Sequence, residues 1–163
     1  MYLEFDQMPA HARVWVYQAD RKFNEEELHW VEERLVSFCN QWNTHGSMML
    51  TSFRVKFGQV VILAVDESRL GASGCSIDSS VRVLREIEEK FGVNLLDQGK
   101  VSFLENEDSL VVNSVFGIKE KVAKGELRPD AVTLNPLVKL KGDLENNWLL
   151  PAKDSWLNKY FQN

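Results

Sequence analysis

The residues best equipped for chemistry lie between Asp66 and Asp78. Asp66 and Glu67 follow directly on the apolar run Val60-Val61-Ile62-Leu63-Ala64-Val65, and Gly71-Ala72-Ser73-Gly74-Cys75-Ser76-Ile77-Asp78 then leads into an amphipathic stretch. A buried strand that delivers carboxylates to a small-residue loop, which in turn feeds a helix N-terminus, is one way to assemble a site. Three chemistries fit these residue types. Cys75 sits just ahead of the expected helix, where amides and the helix dipole stabilise a thiolate. As a nucleophile it would need a base and an orienting group, for which His45, in a polar glycine-containing loop, and Asp66 are the candidates ahead of His11 and His29. The amides and hydroxyls of Ser73, Gly74 and Ser76, with Asp78, form a ligand-binding loop for a phosphate or carboxylate. Asp66 and Glu67, joined by Asp78 or His45, offer hard oxygen ligands to a divalent cation such as magnesium.

Each of these readings has a plainer structural counterpart. A free cysteine is commonly a small buried side chain, and glycine and serine are what any tight strand-to-helix connection uses. Adjacent strand residues point to opposite faces, so Asp66 and Glu67 share a site only if the strand has ended before them. Arg69 stands near as a counter-ion for a solvated strand end. His29, beside Trp30 on a helix, reads as a surface or interface histidine. No ligand spacing is diagnostic, so no metal site and no cofactor is assigned.

The elements that must position these residues follow from periodicity. Val14 to Tyr17 reads as a short strand. Asn24 with Glu27 three residues on is a capping box, and Leu28, Val31, Leu35, Phe38 and Trp42 form the inward stripe of a helix ended by Asn43 to Ser47. Met49 to Val65 reads as a hairpin turning at Gly58-Gln59, its second arm apolar throughout, as in a strand covered on both faces. A second helix spans about Ile77 to Phe91, with Ile77, Val81, Leu84, Ile87 and Phe91 inward and Gly92 as its stop. Val101 to Leu104 is a further strand. The order predicts an α+β fold: a ferredoxin-like, four-stranded antiparallel sheet with two helices on one face. The chain is expected to be a single domain, residues 1–163, with its core at about 12–105 and residues 106–163 as a C-terminal extension packing on it. In that extension Leu110 to Val112 reads as a strand, Ile118 to Lys124 as a short helix, and Arg128-Pro129-Asp130 and Asn135-Pro136 as turns. The aromatic tail, Trp148 to Pro151 and Trp156 to Phe161, should dock on the domain or mediate contact with a protein partner or a second copy.

Composition bounds the rest. The 163 residues are 44% hydrophobic and 26% charged, with net charge -5. That balance is globular rather than disordered and lacks the basic face of a broad nucleic-acid footprint. Met1 to Ala10 contains Glu4 and Asp6 without an apolar core, so no secretory leader is expected. With no run long enough for a bilayer, no membrane partner is expected either. Cys39 and Cys75 read as free thiols in a reducing, cytoplasmic compartment.

Taken together, Trp42-Asn43-Thr44-His45-Gly46, Val65-Asp66-Glu67-Ser68 and Ala72-Ser73-Gly74-Cys75-Ser76-Ile77-Asp78 resemble a family of small uncharacterised bacterial proteins, some of which carry the label "ABC transporter ATPase". The resemblance covers most of the chain and implies no catalytic roles. An ATP-binding cassette needs Gly-x-x-x-x-Gly-Lys-Ser/Thr to cradle and neutralise phosphates, and the chain has no such Walker A string. The first expectation is therefore a ligand-binding or protein-interaction domain with its contact at Gly71 to Asp78. The alternatives are a small enzyme using Cys75 with His45 and Asp66, or a phosphate or divalent-metal site at Asp66, Glu67 and the same loop.

Overall fold

The computed structural model describes residues 1–162. Among them the elements run β1 (Arg13–Gln18), α1 (Glu25–Gln41), β2 (Asn43–Thr44), β3 (Ser47–Met48), β4 (Leu50–Lys56), β5 (Val60–Asp66) and α2 (Gly74–Phe91), then β6 (Lys100–Asn106), β7 (Ser109–Ser114), α3 (Ile118–Ala123), β8 (Val132–Leu134), α4 (Lys141–Asn146) and β9 (Leu149–Pro151). The fold is mixed α+β, and every strand pairing within its sheets is antiparallel.

The organising element is β5. Val60 to Val65 are all at most 1% exposed, so this strand has no wet face. Val61, Leu63 and Val65 pack with α1 and α2 through Val31, Leu35, Leu84 and Ile87. Val60, Ile62 and Ala64 pack on the other side with Phe5, Met8, Leu110, Leu134 and Trp148. The C-terminal third therefore supplies a cover that the first sheet requires. The aromatic tail is used in the same way: Leu157, with Trp156, Tyr160 and Phe161 beside it, packs against Val101, Ile118 and Leu127.

The helices form where their caps permit. Asn24 Oδ1 accepts from the Glu27 amide at 2.8 Å while Glu27 Oε1 accepts from the Asn24 amide at 2.9 Å, the reciprocal box expected from the sequence. Helix α2 starts earlier than its apolar stripe suggests, at Gly74, with Ser73 as cap, and stops at Gly92 in the left-handed conformation (φ 64°). Its buried face holds Ser76, Ser80, Val83, Leu84 and Ile87, whereas Ile77, Val81 and Phe91 are only half-buried. Two serines can be buried because each hydroxyl donates to a carbonyl three residues back, Ser76 to Ser73 at 2.8 Å and Ser80 to Ile77 at 2.6 Å.

Three expectations change in detail. The β4–β5 turn is centred one residue early: Phe57 (φ 58°) and Gly58 (φ 62°) are both left-handed and Gln59 N–H donates to Lys56 O, as a type I′ turn requires. Helix α4 and strand β9 arise in a stretch too short and mixed to show a period. The largest difference is in the sheet. The order of the first sheet is β1-β5-β4, and the strand expected as its fourth member, Val101 to Leu104, lies within β6 of a second sheet ordered β7-β6-β8-β9. Strand β6 is interior there, bonded to the adjacent hairpin arm β7 on one edge and to β8 on the other. It has no edge left for β1.

Two predictions follow from these contacts. Ser52 is fully buried in β4 and its hydroxyl has no hydrogen-bond partner among the described residues. Ser52→Ala removes that orphan at almost no change in volume and should raise stability by about 1 kcal/mol, read as a higher urea midpoint at unchanged slope. Glu27 also takes a bidentate ion pair from Arg21. Arg21, followed by the Asn24 amide, lowers its carboxyl from 4.5 to about 2. Because the folded value lies below the unfolded one, the contribution is complete above about pH 4.5 and is lost as pH falls toward 2. Glu27→Gln should therefore flatten the stability profile across that window and leave its shape near neutrality unchanged.

Candidate functional site

The loop after β5 bonds several of its polar groups to itself. Asp66 Oδ1 accepts the Ser68 amide at 3.0 Å and lies 3.4 Å from His11 Nε2. Ser68, through its side chain and amide, holds the Asp66 carboxyl below the ordinary range, and His11 adds to the effect. Glu67 turns elsewhere: its Oε2 accepts the Ala72 amide at 2.8 Å and its Oε1 lies 3.7 Å from Arg13. A Cβ at Gly71 would stand 3.0 Å from Glu67 Oε2, so glycine is what lets that carboxylate close the loop. Ser73 Oγ caps the Ser76 amide at 3.2 Å. The amides of Ala72 and Ser76 are thus already bonded.

The other residues singled out by sequence are spread apart in role. Cys75 is the second residue of α2 and is exposed, as are Gly74 and Asp78. His45 is exposed at the tip of the β2–β3 turn with φ 49°. Among the described residues no hydrogen bond or ion pair joins Cys75, His45 and Asp66, and the imidazole at Asp66 is that of His11. His29 pairs with Glu33 at 3.0 Å along an exposed face of α1. Among the described residues no group of three or more His, Cys, Asp or Glu is placed to hold a metal ion.

A different set of residues does converge. A cleft of about 670 Å³ runs along the outer edge of β1, between that strand and the chain from Leu134 to Leu140, with Glu67 at one end and Gln98 and Lys100 at the other. The volume is that of a ligand site. The cleft occupies the place where the sheet lacks its fourth strand.

Main-chain geometry defines its wall. In antiparallel pairing, successive residues turn their N–H and C=O alternately to the two sides. Ala19 N–H donates to Gln59 O on the β5 side and Val14 N–H to Lys139 O on the other. With the β1–β5 register fixed, Val16 and Gln18 therefore present their N–H and C=O to the cleft. So does the Val14 carbonyl, because Lys139 N–H is taken by Asp143 Oδ2 at 3.0 Å. The charged side chains are mostly cationic. Arg13 lies 4.6 Å over the Trp15 ring, and Lys139 has no carboxylate within ion-pair distance among the described residues. Lys100 is tied down, donating to Asn94 Oδ1 at 2.7 Å and Asp97 O at 3.0 Å, and burial lowers its affinity for the proton. Trp148 forms part of the wall, and its buried indole N–H has no acceptor among the described residues. Pro136, Val138 and Leu140 add apolar lining, Leu140 being 42% exposed.

Sequence reasoning found β1 but not that its edge is open. The signal that bears on this is the turn-rich Asn106-Glu107-Asp108 between Val101–Leu104 and Leu110–Val112, which marks a local hairpin competing for the fourth strand. Comparison with protein-family models, with curated proteins and with solved structures finds no match.

The two thiols should separate by burial alone. Cys39 is fully buried in α1, and that burial pushes its thiol up to about 12. Iodoacetamide should therefore modify Cys75 alone in the folded protein, and a second equivalent should enter only in denaturant, as read by intact mass. Fast labelling of Cys75 is then a matter of exposure and does not diagnose a nucleophile. Labelling of Cys39 at a comparable rate in the native state would contradict this burial.

Proposed function

We propose that this chain is a binding module that takes an extended peptide segment of a partner protein into the cleft beside β1, where the segment adds a strand to the first sheet. The observation that carries this reading is the Val14 carbonyl together with the N–H and C=O of Val16 and Gln18, which meet no partner among the described residues at the edge of an otherwise paired sheet. Strand addition uses such an edge for affinity and the flanking side chains for specificity. The apolar lining from Pro136, Val138 and Leu140 supports a protein segment over a small polar metabolite. Each main-chain bond contributes roughly 0.5–1.5 kcal/mol net, so a short guest with some apolar burial falls in the micromolar range.

This reading keeps the interaction-domain expectation and moves its contact surface from Gly71–Asp78 to β1. The aromatic tail is packed against its own chain, so the surface proposed for partners is the cleft. We treat residues 1–163 as one domain, supported by the apolar cluster that joins β5 to Leu110, Leu134 and Trp148. The order β1-α1-β4-β5-α2 follows a ferredoxin-like course, with the guest in the fourth strand position. The resemblance to the small bacterial family stands with this proposal, as a binding role rather than ATP hydrolysis. Two free cysteines support a cytoplasmic setting, and among the described residues no helix is long and apolar enough to cross a membrane.

The test is fluorescence anisotropy with a positional library of fluorescein-labelled hexapeptides bearing free C-termini. Wild type should bind a sequence-restricted subset. Val16→Pro, which removes an outward N–H at an edge position where proline is tolerated, should weaken that binding at least about tenfold while thermal unfolding stays close to wild type. N-methylation of alternate guest amides should have the same effect on the unaltered protein. If no hexapeptide binds, or if N-methylation at every position leaves binding intact, strand addition is wrong.

A further inference from the structure

The cleft is closed at one end, and that closure says which part of a partner fits. The line of chain that a guest strand would continue is already begun by residues 139–142. Val14 N–H donates to Lys139 O at 2.9 Å, Lys141 N–H to Ala12 O at 2.8 Å and Gly142 N–H to Ala10 O at 2.9 Å. Leu140 bridges Arg13 in antiparallel sense. An antiparallel guest beside Val16 and Gln18 would run in the same direction as this segment and come up against it from behind, with its C-terminal end directed at Val138 and Lys139.

The obstruction is fixed in place. Asp143 Oδ2 accepts the amides of both Lys139 and Leu140 at 3.0 Å. The buried ammonium of Lys141 donates to Met8 O at 2.7 Å. A guest chain therefore has to end, or turn sharply out, where it reaches Lys139.

The charges at this end favour ending. The nearby carboxylates are each bonded to main-chain amides: Asp66 to Ser68, Glu67 to Ala72 and Asp143 to Lys139 and Leu140. Against them stand Arg13, whose one carboxylate neighbour among the described residues is Glu67 at 3.7 Å, and Lys139, which has none among them. A chain terminus arriving here meets two cations whose hydrogen-bonding capacity is largely unspent. That suits a carboxylate and not an ammonium. At the opposite end, Lys100 is spent on Asn94 and Asp97, so the two ends of the cleft are not equivalent.

We infer that the cleft captures the free C-terminus of a partner protein, its last residues extended antiparallel to β1 and its terminal carboxylate held by Arg13 and Lys139. The inference rests on the strand-addition reading and specifies its direction and its end. At about 3.3 Å per residue the open stretch from Trp15 to Gln18 accepts roughly four guest residues, since Lys139 already stands opposite Val14. Guest side chains would alternate between the face of Trp15 and Tyr17 and the face of Val14 and Val16.

The experiment takes the tightest hexapeptide from the library and prepares it as the free acid, as the C-terminal amide, and extended by two C-terminal glycines. On wild type the amide and the extended peptide should both bind about tenfold to hundredfold more weakly than the acid. In the double variant Arg13→Gln/Lys139→Gln the acid should bind like the amide, because the groups that distinguish them are gone. Raising salt should narrow the gap on wild type. Equal affinity of acid and amide for wild type, with binding still abolished by guest N-methylation, would overturn C-terminal capture and leave strand addition standing. A library that yields no binding hexapeptide would remove both.

Discussion

Burial of β5 on both faces is the constraint from which the rest of the structure follows. A strand reading Val-Val-Ile-Leu-Ala-Val can be placed only where two apolar layers enclose it. Helices α1 and α2 supply one layer. The other is assembled from the N-terminal segment around Phe5 and Met8 and from Leu110, Leu134 and Trp148 of the C-terminal third. The late part of the chain is thus tied to the early part by burial of β5, and it brings its own sheet with it.

The second sheet explains the open edge. Val101 to Leu104 has the composition of a fourth strand for the first sheet, but β7 follows it after a short turn and closes at far lower loop entropy than a return to β1 would. Once β6 is paired with β7 and also with β8, its main-chain groups are consumed. What remains beside β1 is a gap bounded by residues 134–140 rather than a strand. The other edge of the first sheet is treated differently: Thr51 of β4 exchanges main-chain bonds with Met1 and Leu3, and Arg54 is held by Asp6 at 2.7 Å. Exposed edges invite unwanted pairing, and proteins blunt or cover them. Here one edge is covered and the other is recessed in a cleft, where only a segment that fits the walls can reach it.

Local elements were legible in the sequence wherever a short-range rule decides them. The Asn24–Glu27 box, the Gly92 stop, the β4–β5 hairpin and the two-faced burial of β5 all follow from neighbours within a few residues. Ser76 and Ser80 were not legible as buried positions, because their burial depends on hydroxyl bonds that a hydropathy pattern does not register. Strand β1 was legible as a strand, but its position at an open edge was not, since that depends on which of two distant segments β6 chooses. The loop from Gly71 to Asp78 drew attention through residue types alone. Within it Glu67 accepts the Ala72 amide and Ser73 caps the Ser76 amide, bonds that no hydropathy pattern registers.

The same comparison separates the two regions as candidate sites. A site for an external ligand has to leave some of its bonding capacity unspent. In the Asp66–Ser76 loop the amides of Ser68, Ala72 and Ser76 and the Ser76 hydroxyl are bonded within the loop. At the β1 cleft the inventory comes out with a remainder: two amide donors, three carbonyl acceptors, the Arg13 guanidinium and the Lys139 ammonium, all beside apolar walls. In an acidic chain of net charge -5, a local cationic end is also the feature that orients an incoming carboxylate from a distance. The unspent groups lie in a line at strand spacing, which matches the repeat of a polypeptide backbone and of few other ligands.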